Sequence, residues 1–137
     1  MSNFSSTSTL NTSPDLTGRY ALITGASRGI GAALAKAYAK AGAHVILLAR
    51  TNGGLEEVDD AIQAEGGKAT LIPLDLTKLD EVDKLGPVLA ERFGKLDIFV
   101  ANAGMLGTLG PMTHMKAKEW ETVITTNIHA NFRLLRT

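Results

Sequence analysis

Eight consecutive residues, Thr24-Gly25-Ala26-Ser27-Arg28-Gly29-Ile30-Gly31, carry the chemistry most readily read from this chain. They follow a short apolar run, Tyr20-Ala21-Leu22-Ile23, and open an alanine-rich stretch. Three glycines between a strand and a helix let backbone amides approach an anion closely, and the helix N-terminus adds partial positive charge. That combination suits the pyrophosphate of a dinucleotide. Glycines at such a turn can also serve close packing alone. The preceding strand, the following helix and a second strand after one crossover favour phosphate binding.

Two arginines bear on which dinucleotide. Arg50 ends the second apolar run, Leu47-Leu48-Ala49-Arg50, 19 residues beyond Gly31. An NAD site places a carboxylate near this point to accept from the ribose hydroxyls, and that carboxylate would repel the 2′-phosphate of NADP. No acid stands there in this chain. Arg28 lies inside the glycine segment, and guanidinium groups suit bidentate phosphate contacts. Together they favour NADP over NAD. The plainer reading of Arg50 is a solvated charge at a strand end.

Two further polar residues stand out. Asp75, in Leu74-Asp75-Leu76-Thr77, belongs to a type that also caps helices and builds turns. Asn127 follows Trp120, Val123 and Ile124 at helical spacing. It is therefore expected on a buried face, where an amide needs partners.

The elements that must position these residues alternate. Strands are predicted at 19–24, 43–49, 68–74 and 96–101. The second and fourth are nearly unbroken apolar runs, as in parallel strands covered on both faces. A first helix runs from Gly29 to Ala41, with Ile30, Leu34, Ala37, Tyr38 and Ala41 as its apolar face and Gly42 as its stop. Leu55, Val58 and Ile62 mark a second, closed by Gly66-Gly67. Leu79, Val82, Leu85, Leu89 and Phe93 mark a third, in which Gly86-Pro87 predicts a kink or restart. A last helix runs from about Lys116 to the end. The succession implies an α/β fold of the Rossmann type, a doubly wound parallel sheet with its first four strands in the order 3-2-1-4. A fifth strand would lie beyond Thr137.

Bulk properties narrow the class. At 137 residues the chain is one domain at most, and fourteen basic against fourteen acidic residues give no net charge to attract nucleic acid. No cysteine is present, and the three histidines are scattered, so no metal site is expected. No apolar stretch approaches a membrane span and no leader pattern opens the chain; a cytoplasmic protein is the expectation. Residues 1–15 are polar and hydroxyl-rich and read as a flexible tail ahead of a domain over 16–137.

The spacing Thr-Gly-x-x-x-Gly-x-Gly, with Asn102-Ala103-Gly104 directly after the fourth strand, resembles the classical short-chain dehydrogenase/reductase family. The resemblance covers about residues 16–136. It implies that Gly25, Ser27, Gly29, Ile30 and Gly31 contact the cofactor and that Thr24 holds the turn. It also implies that Asp75 bonds the adenine amino group, and that Leu76, Asn102, Ala103 and Gly104 border the cofactor. The usual segment is Asn-Asn-Ala-Gly, and this chain has Ala101 in the first place. Arg28 and Arg50 resemble NADP-preferring members.

Asn127 matches the family's asparagine, which perturbs its helix and holds a water in a proton relay; a satisfied core amide is the alternative. The family's serine and its Tyr-x-x-x-Lys pair have no match, since Tyr38 is followed four residues later by Gly42 and Tyr20 lies on the first strand. The resemblance thus implies the N-terminal part of an enzyme transferring hydride between NADP(H) and a carbonyl or secondary alcohol, a homo-oligomer when intact. This stretch alone is expected to be inactive. A non-catalytic nucleotide-binding or sensing module, or an inactive truncated product, are the other readings.

Overall fold

The computed structural model describes residues 13–137, so most of the expected polar tail lies outside the described residues. Ser13, Pro14 and Asp15 are exposed and irregular, and Leu16 donates its N–H to Ala41 O at 2.8 Å. From there four parallel strands form one sheet in the order β3-β2-β1-β4: β1 Tyr20–Thr24, β2 His44–Ala49, β3 Lys68–Pro73 and β4 Ile98–Val100. In register, Ile23 faces Leu47 on one side and Val100 on the other. The expected order 3-2-1-4 is the one formed.

Why β1 and β2 read as apolar runs is now physical. Alternate side chains feed two separate cores. Ala21, Ile23, Val45 and Leu47 pack under helices α1 (Gly29–Lys40) and α2 (Asn52–Ala64), while Leu22, Ile46 and Leu48 pack under α3 (Leu79–Phe93) and α5 (Ala130–Arg136). Both faces of these strands are covered, so apolar side chains fill them, and the polar Thr24 and His44 stand at strand ends. β4 departs from that expectation. It is three residues long, each half-buried, and among the described residues it pairs with β1.

Two helix expectations are corrected. The buried face of α1 is Gly31, Ala32, Ala35 and Ala39, with Leu34 and Tyr38 half-buried; Ile30 is 73% exposed and Ala37 is exposed. The helix leaves its glycine turn so close to the sheet that only small residues fit beneath it. The second concerns Gly86-Pro87: the restart does not occur, since α3 runs as one helix through the pair. Val82, Leu85 and Leu89 are buried on the sheet on either side, and that burial offsets the hydrogen bond lost at proline. Gly86 has another use: a Cβ there would lie 2.6 Å from the Thr137 backbone, so its absence lets the end of α5 approach. Arg133 clamps the same pair of helices, 2.6 Å from Asp83.

The last helical region is interrupted as well as continuous. α4 (Ala117–Ile124) passes into a π turn at Thr125–His129 and then into α5. No helix among the described residues is long and apolar enough to cross a membrane.

Candidate cofactor site

All four strands point their C-terminal ends at one cleft of about 750 Å³. It lies where the order reverses, with β1 connected outward to β2 on one side and flanked by β4 on the other. Ligands of open α/β sheets bind at such a point. The walls include Gly25, Ser27, Arg28, Gly29 and Ile30 from the glycine turn, and Arg50 after β2. Asp75 and Leu76 come from beyond β3, and Asn102, Ala103 and Gly104 from beyond β4.

The glycine turn is held by close backbone approaches. Gly25 sits at φ +62°, and a Cβ there would lie 3.0 Å from Ala103 Cα. Gly31 is buried beneath the turn, where a Cβ would meet Gly25 O at 2.2 Å. Gly29, at φ +58°, faces open space instead. It therefore serves conformation, whereas Gly31 serves contact. Arg28 is the residue capping α1, with no side-chain cap and no acid in the first turn, so the leading amides of this 12-residue helix face the cleft without a resident anion.

A second layer locks β1 to the segment after β4. The buried Thr24 hydroxyl accepts from Asn102 N at 3.0 Å and Ala103 N at 2.9 Å, and donates to Val100 O at 3.4 Å. Asn102 Nδ2 returns the contact, donating to Thr24 O at 3.1 Å and Gly25 O at 3.2 Å. The amide is thus consumed in holding two loops together at the floor of the cleft.

Asp75 has the local role that its residue type allowed. Its Oδ1 accepts from Thr77 N at 2.9 Å and from Thr77 Oγ1 at 2.7 Å, a turn that aims the carboxylate into the cleft wall. These bonds hold its pKa below the ordinary 3.8 against the opposing effect of burial, with Arg50 and Lys78 adding to the lowering. A depressed carboxylate stabilises the fold fully above its unfolded value and loses that contribution as pH falls through the folded one. In urea melts, wild type and Asp75→Asn should therefore lie furthest apart above pH 3.8 and converge as pH is lowered further. A gap unchanged with pH would contradict the charge-dependent role.

Asn127 is brought near the cleft but not into its wall. It lies in the middle of the π turn, half-buried instead of on a fully buried face. Its Oδ1 accepts from Met105 N at 2.9 Å and its Nδ2 donates to Met105 O at 2.8 Å. Asn131 Nδ2 donates to the Asn127 carbonyl at 2.9 Å, in the helix register that the π turn disturbs. The side chain therefore fixes the irregular segment following Gly104.

Several wall residues were not anticipated: Thr51, Gly54, Met105, Thr122 and Thr126. Gly54 carried a signal, since a glycine in the first turns of a helix is poor for helix stability. Its reason is contact, as a Cβ there would lie 2.9 Å from Ser27 Cβ. Thr122 and Thr126 had none, because they reach the cleft only through the placing of α4 and its π turn beside it.

Residues 19–137 match the short chain dehydrogenase family. The chain belongs to that family. It is 38% identical over 117 residues to gluconate 5-dehydrogenase of Gluconobacter oxydans, covering 85% of this chain and 45% of that protein. Among solved structures it resembles a metagenomic short-chain oxidoreductase in complex with NADP, with TM-score 0.86 and 40% identity over 88% of this chain and 55% of that one. It also resembles NAD⁺-bound xylitol dehydrogenase, with TM-score 0.81 and 28% identity, covering 88% of this chain and 46% of that one. The chain thus spans about half the length of these short-chain dehydrogenases.

Proposed function

We propose that the cleft binds NADP(H) and that residues 16–137 form the N-terminal, cofactor-binding part of an oxidoreductase interconverting a carbonyl compound and a secondary alcohol. One observation carries the cofactor choice. The cleft wall places two guanidinium groups, Arg28 and Arg50, against a single carboxylate, Asp75, which is itself engaged by Thr77. The wall fits a dinucleotide in shape as well. Its glycine turn has the open space at Gly29 that a close anion needs, and its volume lies in the range of small-molecule sites.

In this reading Gly25, Ser27, Gly29 and Ile30 surround the pyrophosphate, with Gly31 beneath them permitting the turn. Arg28 and Arg50 hold a 2′-phosphate, and Asp75 and Leu76 border the adenine. Asn102, Ala103 and Gly104 lie along the ribose. The cofactor, when bound, supplies the hydride. Asn127 acts as a positioning residue by holding Met105, and the family's proton-relay role for it belongs to the same proposal. The tyrosine and lysine that handle the proton would lie outside these 137 residues, and this stretch alone would not turn over. A small-molecule partner in the cytoplasm, with assembly into homo-oligomers, completes the reading.

Titration of NADPH and NADH by nicotinamide fluorescence tests it. Charge-assisted hydrogen bonds contribute about 1.5–3 kcal/mol each. Arg50→Ala should therefore weaken NADPH binding about 10- to 100-fold while leaving NADH nearly unchanged. Equal loss for both cofactors, or none for either, would remove Arg50 from the phosphate site.

A further inference from the structure

The segment between β4 and α4 contains an arm, Met105–Met115, with one ionisable side chain, His114, among eleven residues. Leu106, Leu109 and Met112 are each 80% exposed. Exposed apolar side chains on a connection are unremarkable when scattered on a loose loop. This arm is fastened instead. Asn127 holds both backbone groups of Met105, and Glu119 of α4 accepts from both the N–H and the hydroxyl of Thr108. Between them Gly107 takes φ +72°, and a Cβ there would lie 2.8 Å from Val123 Cγ2. Met112–His114 then forms a 3₁₀ turn. Two side chains from the α4 region and one glycine contact thus hold an apolar rim outward, continuous with the cleft through Met105.

We propose that this arm is the recognition wall for an apolar substrate, a ketone or alcohol bearing an aliphatic or aryl chain. The inference rests on the oxidoreductase reading and adds the substrate class to it. A polyol or sugar would need donors and acceptors along its length. The arm offers few, since Thr108 is already taken by Glu119, the large projecting side chains Leu106, Leu109 and Met112 are hydrocarbon or thioether, and Thr113 and His114 are its only other exposed polar groups. The relatives do not decide the class, since one is named for gluconate and another for fatty acyl-CoA. Fixing the arm in advance reduces the ordering cost on binding, which is where a preformed apolar wall gains affinity.

The test uses the whole translated reading frame, whatever follows Thr137, with and without saturating NADPH. Binding of 2-butanone, 2-octanone and dihydroxyacetone is measured by saturation-transfer NMR and calorimetry. Each methylene fully buried is worth about fourfold in affinity. 2-Octanone should therefore bind on the order of tenfold or more tighter than 2-butanone, and dihydroxyacetone weakest. The triple variant L106D/L109D/M112D should abolish the chain-length dependence while its NADPH affinity stays unchanged.

Equal affinity for the two ketones, preference for dihydroxyacetone, or an unaffected triple variant would each overturn the assignment. So would sedimentation showing a dimer that the triple variant dissociates, since that would mean that a second copy covers the arm. Failure of NADPH to bind would instead strike the cofactor reading, and the ketone series without cofactor still reports on the arm.

Discussion

Gly31→Ala is expected to abolish dinucleotide binding and to destabilise the protein more than any other single methyl addition in the glycine turn. The new Cβ would sit 2.2 Å from Gly25 O, 2.6 Å from Asn102 Nδ2 and 2.9 Å from Gly25 C. Two of those three atoms are backbone, and Gly25 is itself fixed at φ +62° against Ala103. Nothing flexible is available to move aside. Relief requires α1 to shift off the turn, which loosens Ala32 and Ala35 from the sheet. Overpacking of this kind costs about 1–3 kcal/mol and sometimes more. A displacement near 1 Å at a site built on close approach is worth roughly 100-fold in function.

Gly29→Ala is the control. Its Cβ meets no protein atom within 4 Å, so the cost to folding is the left-handed backbone alone, roughly 1–2 kcal/mol, although the Cβ also enters the space proposed for the anion. Urea melts should rank the variants wild type, G29A, G31A, and NADPH titrations should show weakened binding in G29A and none in G31A. If G31A melts and binds like wild type, the contact at the base of the turn is not as described.

The contrast between these glycines shows what could be read before folding. Their spacing between a strand and a helix already pointed to an anion cradle, because that geometry is local. Which glycine needs the room is not local, since Gly31 meets Gly25 and Asn102 across the turn and the sheet. The same division runs through the fold. The 3-2-1-4 order follows from alternating strands and helices with right-handed crossovers. The apolar face of α1 was misplaced because hydrophobic periodicity favours large residues. The sheet instead selects Ala32, Ala35 and Ala39 and leaves Ile30 exposed.

The pair Gly86-Pro87 misled for a related reason. Local propensity argues for a break there, but tertiary burial of Val82 and Leu89 decides otherwise. In the cleft, Arg50 and Asp75 were legible because strand ends in a parallel sheet converge on one edge. Met105, Thr122 and Thr126 were not, because their place depends on how α4 and its π turn lie beside that edge. Asn127 was recognised as a polar residue needing partners, and its partner proved to be a backbone segment 22 positions away.

Thr24→Val should be the more damaging of two substitutions at that position, although valine matches threonine in shape and serine does not. The hydroxyl is fully buried and joins Val100 O of β4 and the Asn102 and Ala103 N–H groups of the segment after it. Asn102 N–H keeps a second acceptor, Val100 O at 3.0 Å, when the hydroxyl is removed. Ala103 N–H has only Thr24 Oγ1 among its described hydrogen bonds, at 2.9 Å. Valine leaves that donor facing methyl groups. An unsatisfied donor costs about 1–3 kcal/mol and the two other lost bonds about 1 each, so T24V should lose roughly 3–5 kcal/mol.

Serine keeps the oxygen and gives up one methyl, a loss near 0.8 kcal/mol. The order of stability in urea is therefore wild type, T24S, T24V, the reverse of what packing volume alone would give. NADPH affinity should follow the same order, because Ala103 and Gly104 border the cleft and their backbone is positioned by this one oxygen. If T24S proves as weak as T24V in both measurements, the methyl and not the hydroxyl holds β1 to the floor of the site.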